Sequence, residues 1–224
     1  MTFVDTLIVS DIHVGREDCN AEALMNTFES YSFKRLIANG DTHQRRRNLP
    51  KQQSEVLDFL KMHPKEVVLI AGNHDPFDDG ICQLTGIKKR RQYRWNASGV
   101  ECCARHGDGS GLDGWAFLFE DDTLDWMFST AVQAAKSIKI GERAVNGYHD
   151  SFSRTVAERA MIFARRKRIQ RMFCGHTHFP MEHPYPGGIY YNSGAWVDGL
   201  CTYITVDAQG NAKLHPPLAD ATLE

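Results

Sequence analysis

The chain has 224 residues, of which 42% are hydrophobic and 24% charged, and its formal net charge at pH 7 is −2. A chain of this length can bury roughly 70% of its unfolded surface, enough for one large α/β domain or two very small ones. The near-neutral charge predicts neither nucleic-acid nor membrane binding, and no apolar run reaches the length of a transmembrane helix.

The first part of the chain alternates short apolar runs with helical patterns. Three runs are predicted as buried strands: residues 6–9, 35–38 and 67–70. Two intervening segments are predicted as helices: residues 20–31 and 49–62. In the first helix Leu24, Met25 and Phe28 form one apolar face at helical spacing, and in the second Pro50 suits the first turn. This alternation predicts a parallel, right-handed α/β sheet.

The pattern changes in the second part of the chain. Residues 91–95 and 100–104 are predicted as an antiparallel pair, and a further strand is predicted at 171–174. A closing β meander is predicted from residues 188–191 and 203–206. Helices are predicted at residues 113–138 and 150–170, separated by residues 141–142 and 146–147. We therefore expect one domain over residues 1–224 with a helical insertion at about 113–170.

Side chains that bind metals follow most of the predicted strands. They occur in five cassettes: Ser-Asp-Ile-His, Asn-Gly-Asp, Gly-Asn-His-Asp, Arg-His-Gly-Asp and Gly-His-Thr-His. The candidate ligands are Asp11, His13, Asp41, Asn73, His106, His176 and His178. Because α/β sheets bind ligands at the carboxyl ends of their strands, we expect these side chains to converge. A lone strand-end aspartate is usually a cap and a lone loop histidine usually structural, but their joint occurrence predicts a metal site.

The donor set predicts two divalent ions. The residues assigned to the first ion are Asp11, His13, Asp41 and His178. Those assigned to the second are Asp41, Asn73, His106 and His176. Asp41 is the predicted bridge, because each carboxylate oxygen has its own lone pairs. Mixed oxygen and imidazole donors suit Mn²⁺, with Fe, Zn²⁺, Ni²⁺ or Mg²⁺ as alternatives.

This pair of ions predicts phosphorus chemistry. Two ions about 3.5–4 Å apart can share a hydroxide that attacks phosphorus in line, and can take up charge on the phosphoryl oxygens. His74 is not needed as a ligand, so we expect it to donate a proton or hydrogen bond to the leaving oxygen. Asp75 is predicted to orient the His74 ring. The sequence thus predicts a metal-dependent hydrolase of phosphoric esters or anhydrides.

Taken together, the cassettes resemble those of the calcineurin-like metallophosphoesterases. The match to Asp-x-His, Gly-Asp, Gly-Asn-His-Asp, His and Gly-His-x-His covers residues 10–178. The resemblance implies a four-layer α/β/β/α sandwich of two mixed sheets, with a dinuclear metal centre. It also implies a phosphate ester or diphosphate as substrate.

A finer resemblance is to the UDP-2,3-diacylglucosamine diphosphatase branch. It rests on residues 106–108 and 192–196 and on the helical insertion. It implies cleavage of a lipid-linked sugar nucleotide diphosphate beneath a helical lid, in which Lys136, Lys139 and Arg143 could meet the phosphates or be solvated. The sequence departs from this branch at His74, where the branch has arginine.

Basic runs occur at residues 45–47, at 88–91 with Arg94, and at 165–168 with Arg171. The residues predicted to hold a distal phosphate or nucleotide are Arg45, Arg46 and Arg47, because they follow a ligand loop and arginine binds phosphate bidentately. The run near residue 165 could meet an anionic membrane surface, and each run could be a solvated face. No base-reading motif occurs, so sequence-specific nucleic-acid binding is not expected.

Two alternatives remain open. One is a nucleic-acid or cyclic-nucleotide phosphodiesterase with the same centre, and the other is a non-catalytic scaffold of the same fold. The six cysteines lack Cys-x-x-Cys spacing and the N-terminal residues lack the features of a secretory signal. These features predict free thiols and a cytoplasmic location. The oligomeric state is not predicted.

Overall fold

The structure is a computed structural model that describes residues 1–44, 48–63, 66–75, 80–108 and 142–216. In chain order its elements are β1 (Thr2–Val9), α1 (Ala21–Ser30), β2 (Tyr31–Asn39), α2 (Lys51–Met62), β3 (Glu66–Ile70), α3 (Gly80–Thr85), β4 (Lys89–Arg90), β5 (Gln92–Ala97), β6 (Val100–Arg105), α4 (Glu142–Arg166), β7 (Arg171–Cys174), β8 (Met181–Tyr185), β9 (Gly188–Asn192), β10 (Tyr203–Val206) and β11 (Ala212–His215).

The strands form two mixed sheets. The first has the order β11–β10–β1–β2–β3–β4, in which β1 to β4 are parallel and β10 is antiparallel to β1. The second has the order β5–β6–β7–β9–β8, with β6, β7 and β9 parallel and an antiparallel strand at each edge. The predicted parallel sheet and the predicted antiparallel pair are both confirmed.

Three apolar cores lie between four layers. In β1, Leu7 and Val9 pack with α1 and α2, whereas Ile8 faces the second sheet, because successive side chains of a strand point to opposite faces. On the far face of the second sheet, Met172 packs with Phe163 of α4. A strand that is buried on both faces has a continuous run of apolar residues in the sequence, so the buried strands of these sheets could be predicted. The architecture is the expected α/β/β/α sandwich.

The helices follow local sequence signals. α1 begins after Asn20, whose side-chain oxygen accepts from the Ala23 amide at 3.2 Å, and it buries Leu24 and Phe28. α2 begins two residues later than expected, at Lys51, because Pro50 is its N-cap, with ψ 152°. No helix among the described residues is long and apolar enough to cross a membrane.

Two predictions about elements were wrong. Residues 188–191 and 203–206 are not a meander, since β9 belongs to the second sheet and β10 to the first. Residues 146–147 do not separate helices but lie inside α4. A single glycine weakens a helix by about 1 kcal/mol, too little to end one of this length. The predicted helix at 113–138 lies outside the described residues.

The carboxyl ends of the two sheets meet at one rim. Asn39, the last residue of β2, is buried and donates its side-chain N–H to the carbonyls of Arg105 and Phe173, at 3.4 and 3.2 Å. These carbonyls lie at the ends of β6 and β7. The loops that follow β1, β2, β3, β6 and β7 therefore converge.

Candidate metal centre

All seven predicted ligands lie in these converging loops, and each contacts at least one other ligand. Asp11 and His13 follow β1, Asp41 follows β2, and Asn73 follows β3. From the second sheet, His106 follows β6, and the two histidines of the Gly-His-Thr-His cassette follow β7. Asp11, His13, Asp41 and His106 are at most 1% exposed.

One set of contacts joins Asp11, His13 and His178. The His178 Nε2 lies 3.3 Å from Asp11 Oδ1 and 3.2 Å from His13 Nε2. His13 Nε2 is also 3.8 Å from Asp41 Oδ2. The donor atoms of Asp11, His13 and His178 all lie within 4.8 Å of one another. This is a candidate group for one ion.

A second set of contacts joins Asn73, His106 and His176. Asn73 Oδ1 lies 2.8 Å from His176 Nδ1 and 3.3 Å from His106 Nε2. His106 Nε2 is in turn 3.3 Å from Asp41 Oδ2. The same Asp41 oxygen therefore faces both sets.

The hydrogen bonds of His106 favour a cation between these groups. Its Nδ1 lies 2.9 Å from the Asn39 carbonyl oxygen, which only accepts, so Nδ1 carries the proton. In the neutral ring, Nε2 then presents a lone pair to the acceptor oxygens of Asp41 and Asn73. Converging lone pairs repel unless a proton or metal ion lies among them, so the donor set fits a metal.

The electrostatics differ from ligand to ligand in the metal-free protein. Burial lowers the pKa of His106, but Asp41 and Asp11 outweigh it and the net shift is upward, so this ring must lose a proton to bind an ion. Burial lowers the pKa of His13 to about 4 and that of His176 to about 4, which leaves both rings neutral, as ligands must be. Burial raises the pKa of the Asp41 carboxyl, but the neighbouring histidines, His106 foremost, together outweigh it and the net shift is downward. Asp41 is therefore a carboxylate at neutral pH.

Backbone strain is concentrated in these loops. The described non-glycine residues with positive φ include five candidate ligands: Asp11, His13, Asp41, His176 and His178. Each such conformation costs about 1–3 kcal/mol and persists only where surrounding contacts impose it. The glycines before two ligands leave no room for a side chain, since a Cβ on Gly40 would meet the His106 ring and one on Gly72 would meet Asp41.

His74 and Asp75 have different surroundings. His74 is exposed; its backbone N–H donates to Asp41 Oδ1 at 2.7 Å, and its ring Nδ1 lies 3.4 Å from Gln44 Nε2. Asp75 is buried and accepts from the backbone N–H groups of Thr42, His43 and Gly72, at 2.9, 3.1 and 2.9 Å. The Asp75 carboxylate thus fastens the ligand loops, in place of the predicted contact with the His74 ring.

The predicted substrate-binding residues are mostly outside the described residues: Arg45, Arg46, Arg47, Lys136 and Lys139. Arg143 lies in the first turn of α4. The basic run near residue 165 lies away from the ligand rim, because Arg171 pairs with Cys102 and Gln170 bonds Glu101, near the amino ends of β6 and β7.

Sequence reasoning missed Asp198, in the loop before β10. Its Oδ2 lies 3.2 Å from His178 Nδ1, and its Oδ1 accepts from Arg16 Nη2 at 3.1 Å. The only sequence signal was its position just after the family-like residues 192–196, which does not have metal-ligand spacing.

Comparison with known proteins identifies the family. The family model described as calcineurin-like phosphoesterase matches residues 5–180. The chain belongs to this family. A search of the curated proteins found no match.

Solved structures similar to this calcineurin-like phosphoesterase share its fold at low sequence identity. A single mutant of Vps29 from Entamoeba histolytica gives a TM-score of 0.56 at 15% identity, covering 98% of this chain and 95% of that one. Wild-type Vps29 from the same organism, complexed with Zn²⁺, gives 0.53 at 13% identity, covering 94% and 96%. YfcE, a phosphoesterase from E. coli, gives 0.53 at 14% identity, covering 95% and 99%.

Proposed function

We propose that the protein is a metal-dependent hydrolase of phosphoric esters or anhydrides. The observation that carries this proposal is the convergence of the seven candidate ligands in two sets of contacts that both reach Asp41 Oδ2, one through His13 and one through His106, within a chain of the calcineurin-like phosphoesterase family. Asp11, His13, Asp41 and His178 would hold one ion, and Asp41, Asn73, His106 and His176 the other. Two bound ions supply Lewis acidity and lower the pKa of bound water.

The chain's own residues supply the remaining functions. Asp41 Oδ2 faces His13 and His106, one ligand of each proposed ion, while Asp41 Oδ1 accepts from the His74 N–H. The His74 ring is exposed and lies edge-on to His13, with 5.2 Å between ring centroids, so it can reach a leaving oxygen at the mouth of the site. Gln44 can hold that ring in position through its contact at Nδ1.

Hydrolysis of aryl phosphates tests the chemistry. Purified protein with Mn²⁺ should release p-nitrophenolate from p-nitrophenyl phosphate or from bis(p-nitrophenyl) phosphate. Asp41→Asn should lower kcat/KM by at least about 100-fold, because it removes the charge shared by both ions. Asp58→Asn, on the exposed face of α2, is the matched control. Wild-type protein that is inactive with Mn²⁺, Zn²⁺, Fe²⁺, Ni²⁺ and Mg²⁺ would contradict the proposal.

The proposed role of His74 has its own signature. A general acid matters most when the leaving group is basic, so His74→Gln should lower kcat by about 10²–10⁴-fold for an alkyl phosphate. For p-nitrophenyl phosphate the loss should be much smaller. His183→Gln, at an exposed position of β8, should leave kcat unchanged for both substrates. An equal loss with both leaving groups would assign His74 a structural role instead.

The substrate we propose is a lipid-linked nucleotide diphosphate. The resemblance of residues 106–108 and 192–196 supports it, and so does Phe152 of α4, whose ring lies 5.6 Å from that of His176. The test is to compare a UDP-sugar with and without acyl chains, beside RNA, DNA and cyclic nucleotides. Preference for the acylated diphosphate supports the proposal, whereas preference for a polynucleotide or cyclic nucleotide replaces it with a phosphodiesterase.

The non-catalytic scaffold is the less favoured alternative. Neighbouring structures include both a phosphoesterase and proteins named for vacuolar protein sorting, so the fold does not decide between catalysis and scaffolding. The described residues retain every predicted ligand and His74. Metal content alone does not discriminate, because the wild-type Vps29 structure is itself complexed with Zn²⁺. Turnover does: protein loaded with metal that hydrolyses none of the tested phosphate esters would favour the scaffold.

A further inference from the structure

A chain of polar contacts extends outward from His178. His178 Nδ1 lies 3.2 Å from Asp198 Oδ2, on the side of the ring opposite to the Nε2 that faces Asp11. Because Asp11 and Asp198 both only accept, each ring nitrogen of the metal-free His178 faces an acceptor. If Nε2 gives up its proton to bind an ion, the Asp198 contact keeps the remaining proton on Nδ1. Nε2 is the atom that the first ion would require.

Asp198 is itself held in place. Arg16 Nη2 donates to Asp198 Oδ1 at 3.1 Å, while its Nε and Nη2 donate to the two oxygens of Asp18 at 2.8 and 2.6 Å. The Asp198 N–H donates to Asp18 Oδ2 at 3.2 Å. This bidentate clamp fixes both the side chain and the backbone of Asp198.

The loop that carries Asp198 is tied to the loop that carries Asp11. Trp196 N–H donates to the Asp11 carbonyl at 3.1 Å, and Asn20 N–H donates to the Trp196 carbonyl at 2.9 Å. Asp198 also has a positive φ of 56°, a strained conformation that needs such support. A surface ion pair formed by chance would not require these constraints.

We propose that Asp198 is a positioning residue of the metal centre, which, clamped by Arg16, sets the orientation and tautomer of His178 for the first ion. This inference rests on the proposed function, because it assumes that His178 binds metal. Outer carboxylates of this kind typically change metal affinity by about 10- to 100-fold when removed. The side chain of Asp198 is 52% exposed, so its removal leaves no buried cavity.

Metal binding tests the proposal without reference to turnover. Titration with Mn²⁺, followed by calorimetry and by the electron paramagnetic resonance of free Mn²⁺, should show two ions bound to the wild-type protein. Asp198→Ala should weaken one class of site by about 10- to 100-fold and leave the other unchanged. Asp198→Asn, which keeps an acceptor but not the charge, should have a smaller effect. Asp58→Asn should match the wild type.

The tautomer of His178 is the second readout. In the metal-free protein, long-range ¹H–¹⁵N correlation should detect a proton on Nδ1 of His178, and Asp198→Ala should move the population toward the tautomer that is protonated at Nε2 alone. A merely structural contact would not move this signal. If the wild type binds two ions and Asp198→Ala binds both within twofold, the inference is overturned and the proposed function stands. A wild type that binds no ion overturns both.

Discussion

At the scale of single residues, the candidate centre depends on how closely the backbone approaches the ligands. Gly175 precedes His176, and a Cβ at this position would meet Asp11 Oδ2 and Ser10 Oγ. Asp11 must stay close because both its oxygens accept from the His176 N–H, at 3.1 and 2.9 Å. Glycine is therefore required here for space, since its φ is not in the left-handed region.

Gly175→Ala should displace Asp11 and weaken Mn²⁺ binding by at least about 10-fold, since small displacements of a ligand have large effects. Gly99→Ala is the control, because a Cβ there meets open space but the residue has a positive φ of 91°. That control should lose about 1 kcal/mol of folding free energy and bind metal normally. Calorimetry of both variants checks this. Normal Mn²⁺ binding by Gly175→Ala would show that the loops carrying Asp11 and His176 can move apart without weakening metal binding.

At the scale of elements, a helix away from the centre holds one of its loops. Gln53 of α2 is only 4% exposed, although it is polar. Its side-chain oxygen accepts from Gly15 N–H at 2.8 Å, and its side-chain N–H donates to the Arg16 carbonyl at 2.7 Å. α2 thereby fastens the loop between β1 and α1, which carries His13 and Arg16. The helical pattern of α2 was predictable, but this contact was not, because its partners are distant in sequence.

Gln53→Ala should lower the free energy of unfolding by about 1–3 kcal/mol, because two backbone groups lose their partner. It should also weaken metal binding, since the loop loses its attachment. Gln52→Ala, at the exposed neighbouring position, should do neither. Urea denaturation and Mn²⁺ titration of the two variants provide the comparison. Equal free energies of unfolding for the two variants would mean that water replaces the Gln53 side chain as the partner of these backbone groups.

At the scale of the whole molecule, buried cysteines occur in each of the three cores. Cys201 lies in the core of the first sheet and its helices, Cys102 between the sheets, and Cys103 and Cys174 beneath α4. All four are free thiols with no exposed surface. Burial raises the pKa of Cys102 to about 12 and that of Cys103 to about 12, so their reactive thiolates form only when a core opens.

We predict that the chain is a single cooperative domain, and these thiols test it. Labelling with a thiol reagent at pH 8, mapped by mass spectrometry, should modify all four at one common rate, equal to the rate of global unfolding. Cys82, which is partly exposed, provides the fast-reacting reference. Faster labelling of Cys103 and Cys174 than of Cys201 would show that the second sheet and α4 open as a separate unit.

The sequence by itself determined the strand–helix alternation, the α/β class and the seven candidate ligands, because buried strands and their terminal loops are local patterns of apolar and polar residues. Only the tertiary structure decided that β9 and β10 belong to different sheets, that Asp75 binds backbone amides, and that Asp198 faces His178. Those outcomes depend on pairings between distant segments, and no local propensity encodes them. His178 and Asp198 are 20 residues apart in the chain, and their contact exists because the loops after β1, β7 and β9 meet at one rim.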